Sequence, residues 1–216
     1  MENSVGLRQS NKARTRLSIS DTATRLFIEH GFEHVTVAQI AEAARVSVKT
    51  VFNYFPSKED LFFDRADEVR DVLLAALRDR PADLPMLESL RTVLADRLVP
   101  FDADGWRGLR NPDRYEGFRS FIGAEYASPI LQARRLAIME EWGEQLGAVF
   151  AQELRDRRAA AVLAAMTVAL LVLRERELAQ AMLDRAGPRT VERRVRAVVD
   201  EGFERLARAF PDLDRR

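Results

Sequence analysis

Cysteine is absent from the 216 residues, which removes disulfides and thiolate metal sites and suits a reducing compartment. Histidine is nearly absent. His30 and His34 are the only two, and Gly31 interrupts the helix that would align them, so no metal site and no cofactor are expected. Long apolar runs are missing too: the longest uncharged one, Ala159 to Leu173, is alanine-rich and shorter than the ~18 residues a membrane span needs. A buried helix is the better reading of it. The first eight residues, Met1 to Arg8, lack the apolar core of a signal peptide. These absences together lead to the expectation of a cytoplasmic protein that meets no membrane. Neither sign of charge prevails, since 34 Lys and Arg balance 34 Asp and Glu. Carboxylates are plentiful, yet no motif pairs one with a nucleophile or a base, so an enzyme is not expected. Catalysis by carboxylates alone, or a purely protein-binding helical module, stays open as the alternative.

What the chain does have is helical periodicity, with 47% hydrophobic and 31% charged residues, enough to bury a sizeable core. No run alternates as a strand would, and there is no internal repeat. The expected class is all-α, with about nine helices in two groups. A first helix spans about 12–30, with Ile19, Ala23, Leu26 and Phe27 on one face and Gly31 placed for a left-handed C-terminal cap. Thr36-Val-Ala-Gln39 reads as a capping box opening a helix over 36–44, whose apolar face is Val37, Ile40, Ala41 and Ala44. Ser47 caps a third helix over 47–55, with Val48, Val51, Phe52 and Phe55 at burial spacing and Pro56 as its stop. Ser57 caps a fourth, running toward Leu77. Further helices are expected near 85–99, 113–123, 129–155, 158–184 and 190–210. Breaks fall at Pro100, at Gly105–Pro112, at Ser128-Pro129 and at Gly187-Pro188.

Local charge adds a hint. Residues 1–16 hold Arg8, Lys12, Arg14 and Arg16 against one acid, Glu2, and the stretch 45–58 holds Arg45, Lys49 and Lys58 with none. Two short helices joined by a tight turn match the helix-turn-helix unit. Its outward face would be Ser47, Lys49, Thr50, Asn53 and Tyr54, with Lys58 beside it. Thr and Asn suit base edges, Lys, Ser and Tyr suit phosphates, and the Thr36 end offers free amides. A plain helical hairpin with a polar outer face explains the same pattern equally well.

The stretch from Thr36 to Leu61 goes further. Thr36, Ile40-Ala41, Ala44, Val46-Ser47, Thr50, Phe52, Tyr54-Phe55, Lys58 and Leu61 stand in register with the signature T-x-x-x-I-A-x-x-A-G-V-S, T-x-Y/F-x-Y-F, K-x-x-L. With Gly31-Phe32 and the preceding amphipathic helix, residues 12 to about 62 resemble the TetR family of transcriptional regulators. Arg45 stands where that family often has glycine, and Phe52 where many members have tyrosine.

The resemblance implies a DNA-binding domain over 12–62 and a ligand-binding, dimerising body over 63–216. The DNA-binding residues would be Thr36, Arg45, Ser47, Lys49, Thr50, Asn53, Tyr54 and Lys58. It also implies a homodimer on palindromic double-stranded operator DNA, acting as a repressor that an unknown small molecule releases. The last two helices would form the dimer contact. The broad stripe Val191, Val195, Val198, Val199, Leu206 and Phe210, with Leu170, fits that role, although a core within one chain explains it too. Candidate pocket residues are Trp106, Tyr115, Phe118, Phe121, Tyr126, Met139, Trp142 and Phe150, any of which could equally be ordinary core.

Overall fold

A computed structural model describes residues 2–96, 105–154 and 156–211, the side chains of 2–10 excepted. The break expected at Pro100, the end of the helix expected over 85–99 and the side chain of Arg8 lie outside the described residues. Among the described residues ten α-helices follow one another: α1 (Glu2–His30), α2 (Val37–Ala43), α3 (Val48–Tyr54), α4 (Lys58–Phe62), α5 (Ala66–Arg78), α6 (Met86–Asp96), α7 (Pro112–Ala127), α8 (Pro129–Glu153), α9 (Arg157–Leu183) and α10 (Pro188–Ala209). A 3₁₀ helix, Gly105–Arg110, occupies part of the expected break before Pro112. There is no strand among the described residues, so the all-α expectation holds.

Prolines open α7, α8 and α10, where a missing N–H costs nothing because the first amides of a helix have no partner in it. Gly31 adopts φ +79° and its amide bonds the Phe27 carbonyl at 2.9 Å, ending α1 with the left-handed residue the sequence called for.

The chain divides into two compact units. The first comprises Met1–Asp64 with Ser120–Arg134, and so takes in the end of α7 and the start of α8 beyond the segment 12–62. Its core gathers Ile19, Ala23 and Phe27 of α1, Ile40 and Ala41 of α2, Val51 and Phe55 of α3, Leu61 and Phe62 of α4, and Leu131 of α8. Phe62 is the hub of an aromatic cluster. It lies 5.6 Å from the Phe27 and Phe32 ring centres and stacks on Phe121 at 4.1 Å with the planes 8° apart.

The single fourth helix expected toward Leu77 is in fact two, separated by residues 63–65. The interruption coincides with a tertiary contact. Asp64 is buried, with its carboxylate accepting from the Ser20 hydroxyl and its carbonyl from Arg16 at 2.9 Å. A carboxylate out of water needs such partners, and this one finds them on α1 at the point where the helix is interrupted.

The second unit comprises Arg65–Arg119 and Arg135–Arg216 as far as described, built on α5, α6, α9 and α10. In it α10 packs along α9 and α6. At the α9–α10 crossing, a methyl group on Gly202 would meet Leu170 Cδ1 at 2.3 Å, so only glycine permits this approach. Ion pairs border the seam: Arg91 reaches Glu88 at 2.5 Å and Asp200 at 2.9 Å, and Arg194 reaches Glu177 at 2.5 Å.

Candidate nucleic-acid interface

The helix-turn-helix forms by local chemistry at each joint. Thr36 caps α2 with a reciprocal box, its hydroxyl accepting from the Gln39 amide at 3.3 Å while the Gln39 side chain accepts from the Thr36 amide at 2.8 Å. At the other end Arg45 takes φ +56°. The Val46 amide then bonds the Ala41 carbonyl at 2.9 Å and the Arg45 amide the Glu42 carbonyl at 3.0 Å, the paired bonds of a Schellman turn. Arginine therefore occupies a position suited to glycine, at a cost of about 1 kcal/mol. Ser47 then caps α3, accepting from the Thr50 amide at 3.0 Å.

The structure anchors α3 chiefly through Val51 and Phe55, which are 1% and 2% exposed, with Tyr54 half-buried against the same core. Here it departs from the expected burial of four side chains. Val48 and Phe52 are 41% and 48% exposed. Val48 is the first residue of the seven-residue helix and Phe52 flanks Val51 on the side toward Lys49 and Asn53, so the core covers only the Val51 and Phe55 edge of the apolar side. Lys49 and Asn53 share the exposed side with them, as expected.

The remaining expected contact residues are more constrained. Ser47 and Thr50 hold each other, their hydroxyls 2.7 Å apart, and Thr50 is half-buried. Thr36 spends its hydroxyl on Gln39. Tyr54 is half-buried against the core of the unit. Arg45 is exposed on the turn. Lys58 is not a free surface cation: its ammonium donates to the carbonyls of Phe32 at 3.0 Å and Val35 at 3.1 Å and lies 4.0 Å from the centre of the Phe32 ring. It thereby staples the turn between α1 and α2. Arg16 has a similar double role, bonding the Asp64 carbonyl and lying 4.8 Å above the Phe55 ring. Nothing in the local pattern announced either bond, because both partners are remote in sequence.

The residues assigned to a ligand pocket are divided between the two units. Phe121 and Tyr126 belong to the first unit, Phe121 stacked on Phe62. Trp106, Tyr115, Phe118, Met139, Trp142 and Phe150 belong to the second. Trp106 is buried, with its indole N–H donating to the Ala95 carbonyl at 2.7 Å near the end of α6. Tyr115 donates to the Ala186 carbonyl at 2.6 Å, fastening the turn between α9 and α10, and burial pushes its phenol above its ordinary value. Met139, Trp142 and Phe150 are buried, and Phe118 is half-buried.

Most of the stripe assigned to a dimer contact is covered within the chain itself. Val191, Val195 and Val199 are each 0% exposed within a single chain, and Leu206 and Leu170 are buried too. Those side chains make the seam of α10 with its own neighbours. Only Val198 and Phe210 of that set keep partial exposure. An exposed apolar face lies on α9, at Val162, Ala165, Ala169 and Leu173.

Among the described residues there is no cluster of three or more His, Cys, Asp or Glu able to hold a metal ion, and no helix long and apolar enough to cross a membrane.

The family model of "Bacterial regulatory proteins, tetR family" matches residues 19–64, which run from the core of α1 through α4. The chain is similar to the HTH-type transcriptional regulator TcmR of Streptomyces glaucescens, at 41% identity over 88 residues, 41% of this chain and 39% of TcmR. The match thus spans only about two-fifths of that relative's length. Among solved structures, the fold resembles NalD of Pseudomonas aeruginosa, the secondary repressor of the MexAB-OprM multidrug efflux pump. The TM-score is 0.52 at 20% identity, over 89% of this chain and 97% of NalD. It also resembles the SmeT–triclosan complex, with a TM-score of 0.57 at 17% identity, over 88% of this chain and 90% of SmeT. A capped helix-turn-helix thus lies inside the segment that matches the tetR family model, and the described chain shares its all-helical fold with these structures.

Proposed function

We propose that this protein is a transcriptional repressor that binds double-stranded operator DNA through α3 and is released by a small molecule. One observation carries the reading: α3 is held by two buried anchors while Lys49 and Asn53 stand exposed on its other side. A rigid helix with short polar and cationic side chains outward is what a major groove admits. No acid lies between Ala43 and Lys58 to repel phosphates.

Dimerisation through the exposed α9 face, with α10 beside it, would present two copies of α3 to a palindromic site, with half-sites about 34–36 Å apart. The small side chains of Ala165 and Ala169 suit close helix approach there. Release follows if a ligand in the body favours a dimer geometry whose two α3 helices no longer span the half-sites. SmeT, of the same fold, holds triclosan, which supports an apolar ligand for this body as well. This role is regulatory rather than enzymatic and places the protein in the cytoplasm with the chromosome.

The experiment is a gel shift with DNA from upstream of the native gene, repeated over a salt series. Affinity should fall steeply with salt, and Lys49→Ala should flatten the log–log slope by about one unit. A wild-type slope near zero would sink the reading. Trp106 and Trp142 both lie in the second unit, so a ligand entering the body should change tryptophan emission. That ligand must also bind more weakly to the operator complex, by the same factor by which it weakens operator binding.

A further inference from the structure

The exposed side of α3 is half apolar. Val48 and Phe52 stand at i and i+4, one above the other, at 41% and 48% exposure. Neither is needed to seat the helix, because Val51 and Phe55 do that. Scattered apolar side chains on a surface mean little. These two make up half of the exposed side of a seven-residue helix, beside Lys49 and Asn53.

The occupant of this surface follows from its surroundings. Lys49 and Arg45 are exposed cations next to the pair, and no acid lies from Ala44 to Lys58. That charge suits a polyanion. Within a DNA major groove one apolar group distinguishes the bases, the 5-methyl of thymine. Hydrogen-bond readout by this helix is thin, because the Thr50 hydroxyl is tied to Ser47. Phe52 has no hydroxyl with which to take a phosphate, so its exposed ring has only apolar contact to give.

We propose that Val48 and Phe52 are specificity-determining residues that read thymine 5-methyl groups, an inference that rests on the DNA-binding role of α3. Four residues of helix rise about 6 Å, and base pairs are about 3.4 Å apart. With α3 along the groove, each half-site therefore carries two methyl-bearing pairs about two steps apart. Lys49 supplies attraction without sequence preference, Asn53 a base-edge hydrogen bond, and the apolar pair the demand for thymine.

The test starts with the full chain and a library of randomised duplex DNA, from which bound sequences are enriched. In the enriched site each thymine is then replaced singly by deoxyuridine, which removes the methyl group and leaves every hydrogen-bonding atom. Wild type should lose about fourfold in affinity at each of two thymines per half-site, the worth of one buried methyl-sized group. Phe52→Ala should abolish the penalty at one of these positions and Val48→Ala at the other, with the salt slope unchanged. Both side chains are exposed, so the variants should melt with wild type, and circular dichroism checks this. Enrichment of a site with no thymine-to-deoxyuridine penalty overturns the proposal and leaves DNA binding standing. Penalties that persist in both variants overturn it too, by assigning the methyl contacts elsewhere. Failure to enrich any sequence removes the DNA-binding role and this proposal with it.

Discussion

Gly202→Ala opposes two effects of known size, and the structure decides between them. Position 202 lies inside α10, where alanine is favoured over glycine by about 0.8–1.0 kcal/mol. The added methyl would lie 2.3 Å from Leu170 Cδ1, 2.8 Å from Cδ2 and 3.1 Å from Cγ. The whole branched end of Leu170 must then move, and it is only 5% exposed, so it has no open space to enter. Overpacking of this kind costs about 1–3 kcal/mol. The clash should win, leaving the variant about 1 kcal/mol less stable, or roughly 2–4 °C lower in Tm for a chain of this size. In a Leu170→Ala background, itself about 2–5 kcal/mol weaker, the obstacle is gone and part of a cavity is filled. There Gly202→Ala should stabilise by about 1 kcal/mol, a reversal of sign. Urea unfolding of the four chains at one fixed protein concentration gives the cycle directly, provided the m-values agree. If Gly202→Ala stabilises the wild-type background, the close α9–α10 approach is wrong, and Leu170 is free to serve the contact between subunits.

Three further outcomes are expected. Arg45→Gly and Arg45→Ala remove the same charge, yet the glycine variant should be about 1 kcal/mol more stable, since only alanine is strained at φ +56°; equal melting temperatures would refute the left-handed turn. Lys58→Met should lower the melting temperature even without DNA, by about 1–3 kcal/mol of stability, because it removes the ammonium donor from the Val35 carbonyl and leaves the Phe32 carbonyl only the Val35 amide at 3.3 Å. Stability unchanged with only DNA affinity reduced would return Lys58 to the role of a phosphate contact. Val195→Asp should unfold the body, since it buries a carboxylate in the chain's own core, whereas Leu173→Asp, on the exposed face of α9, should give a folded monomer. Light scattering and circular dichroism separate these states, and a folded, monomeric Val195→Asp would overturn the assignment.

The amino-acid sequence determined what depends on near neighbours. The capping box of Thr36 and Gln39, the Ser47 cap, the left-handed Gly31 and the prolines opening α7, α8 and α10 were all legible, because each bond or clash closes within a few residues. Arg45 was legible as a residue standing where the resembled family often has glycine, and the structure supplied its φ of +56°. So was the family resemblance, since its signature lies within one contiguous stretch, and the family model matches residues 19–64.

Only the tertiary structure decided which face of each helix is covered. Val48 and Phe52 have the spacing of buried residues but stand exposed, because Val51 and Phe55 already fill the seat that α3 offers the core. Val191, Val195 and Val199 have the breadth of a subunit contact and are instead spent on the neighbouring helices of their own chain. Asp64, between α4 and α5, finds its partners Ser20 and Arg16 on α1, more than forty positions away. Phe121, far along the chain, completes the aromatic cluster around Phe62. Periodicity tells that a helix has an apolar side, but not what lies against it, and that partner is supplied by residues whose distance in sequence leaves no local trace.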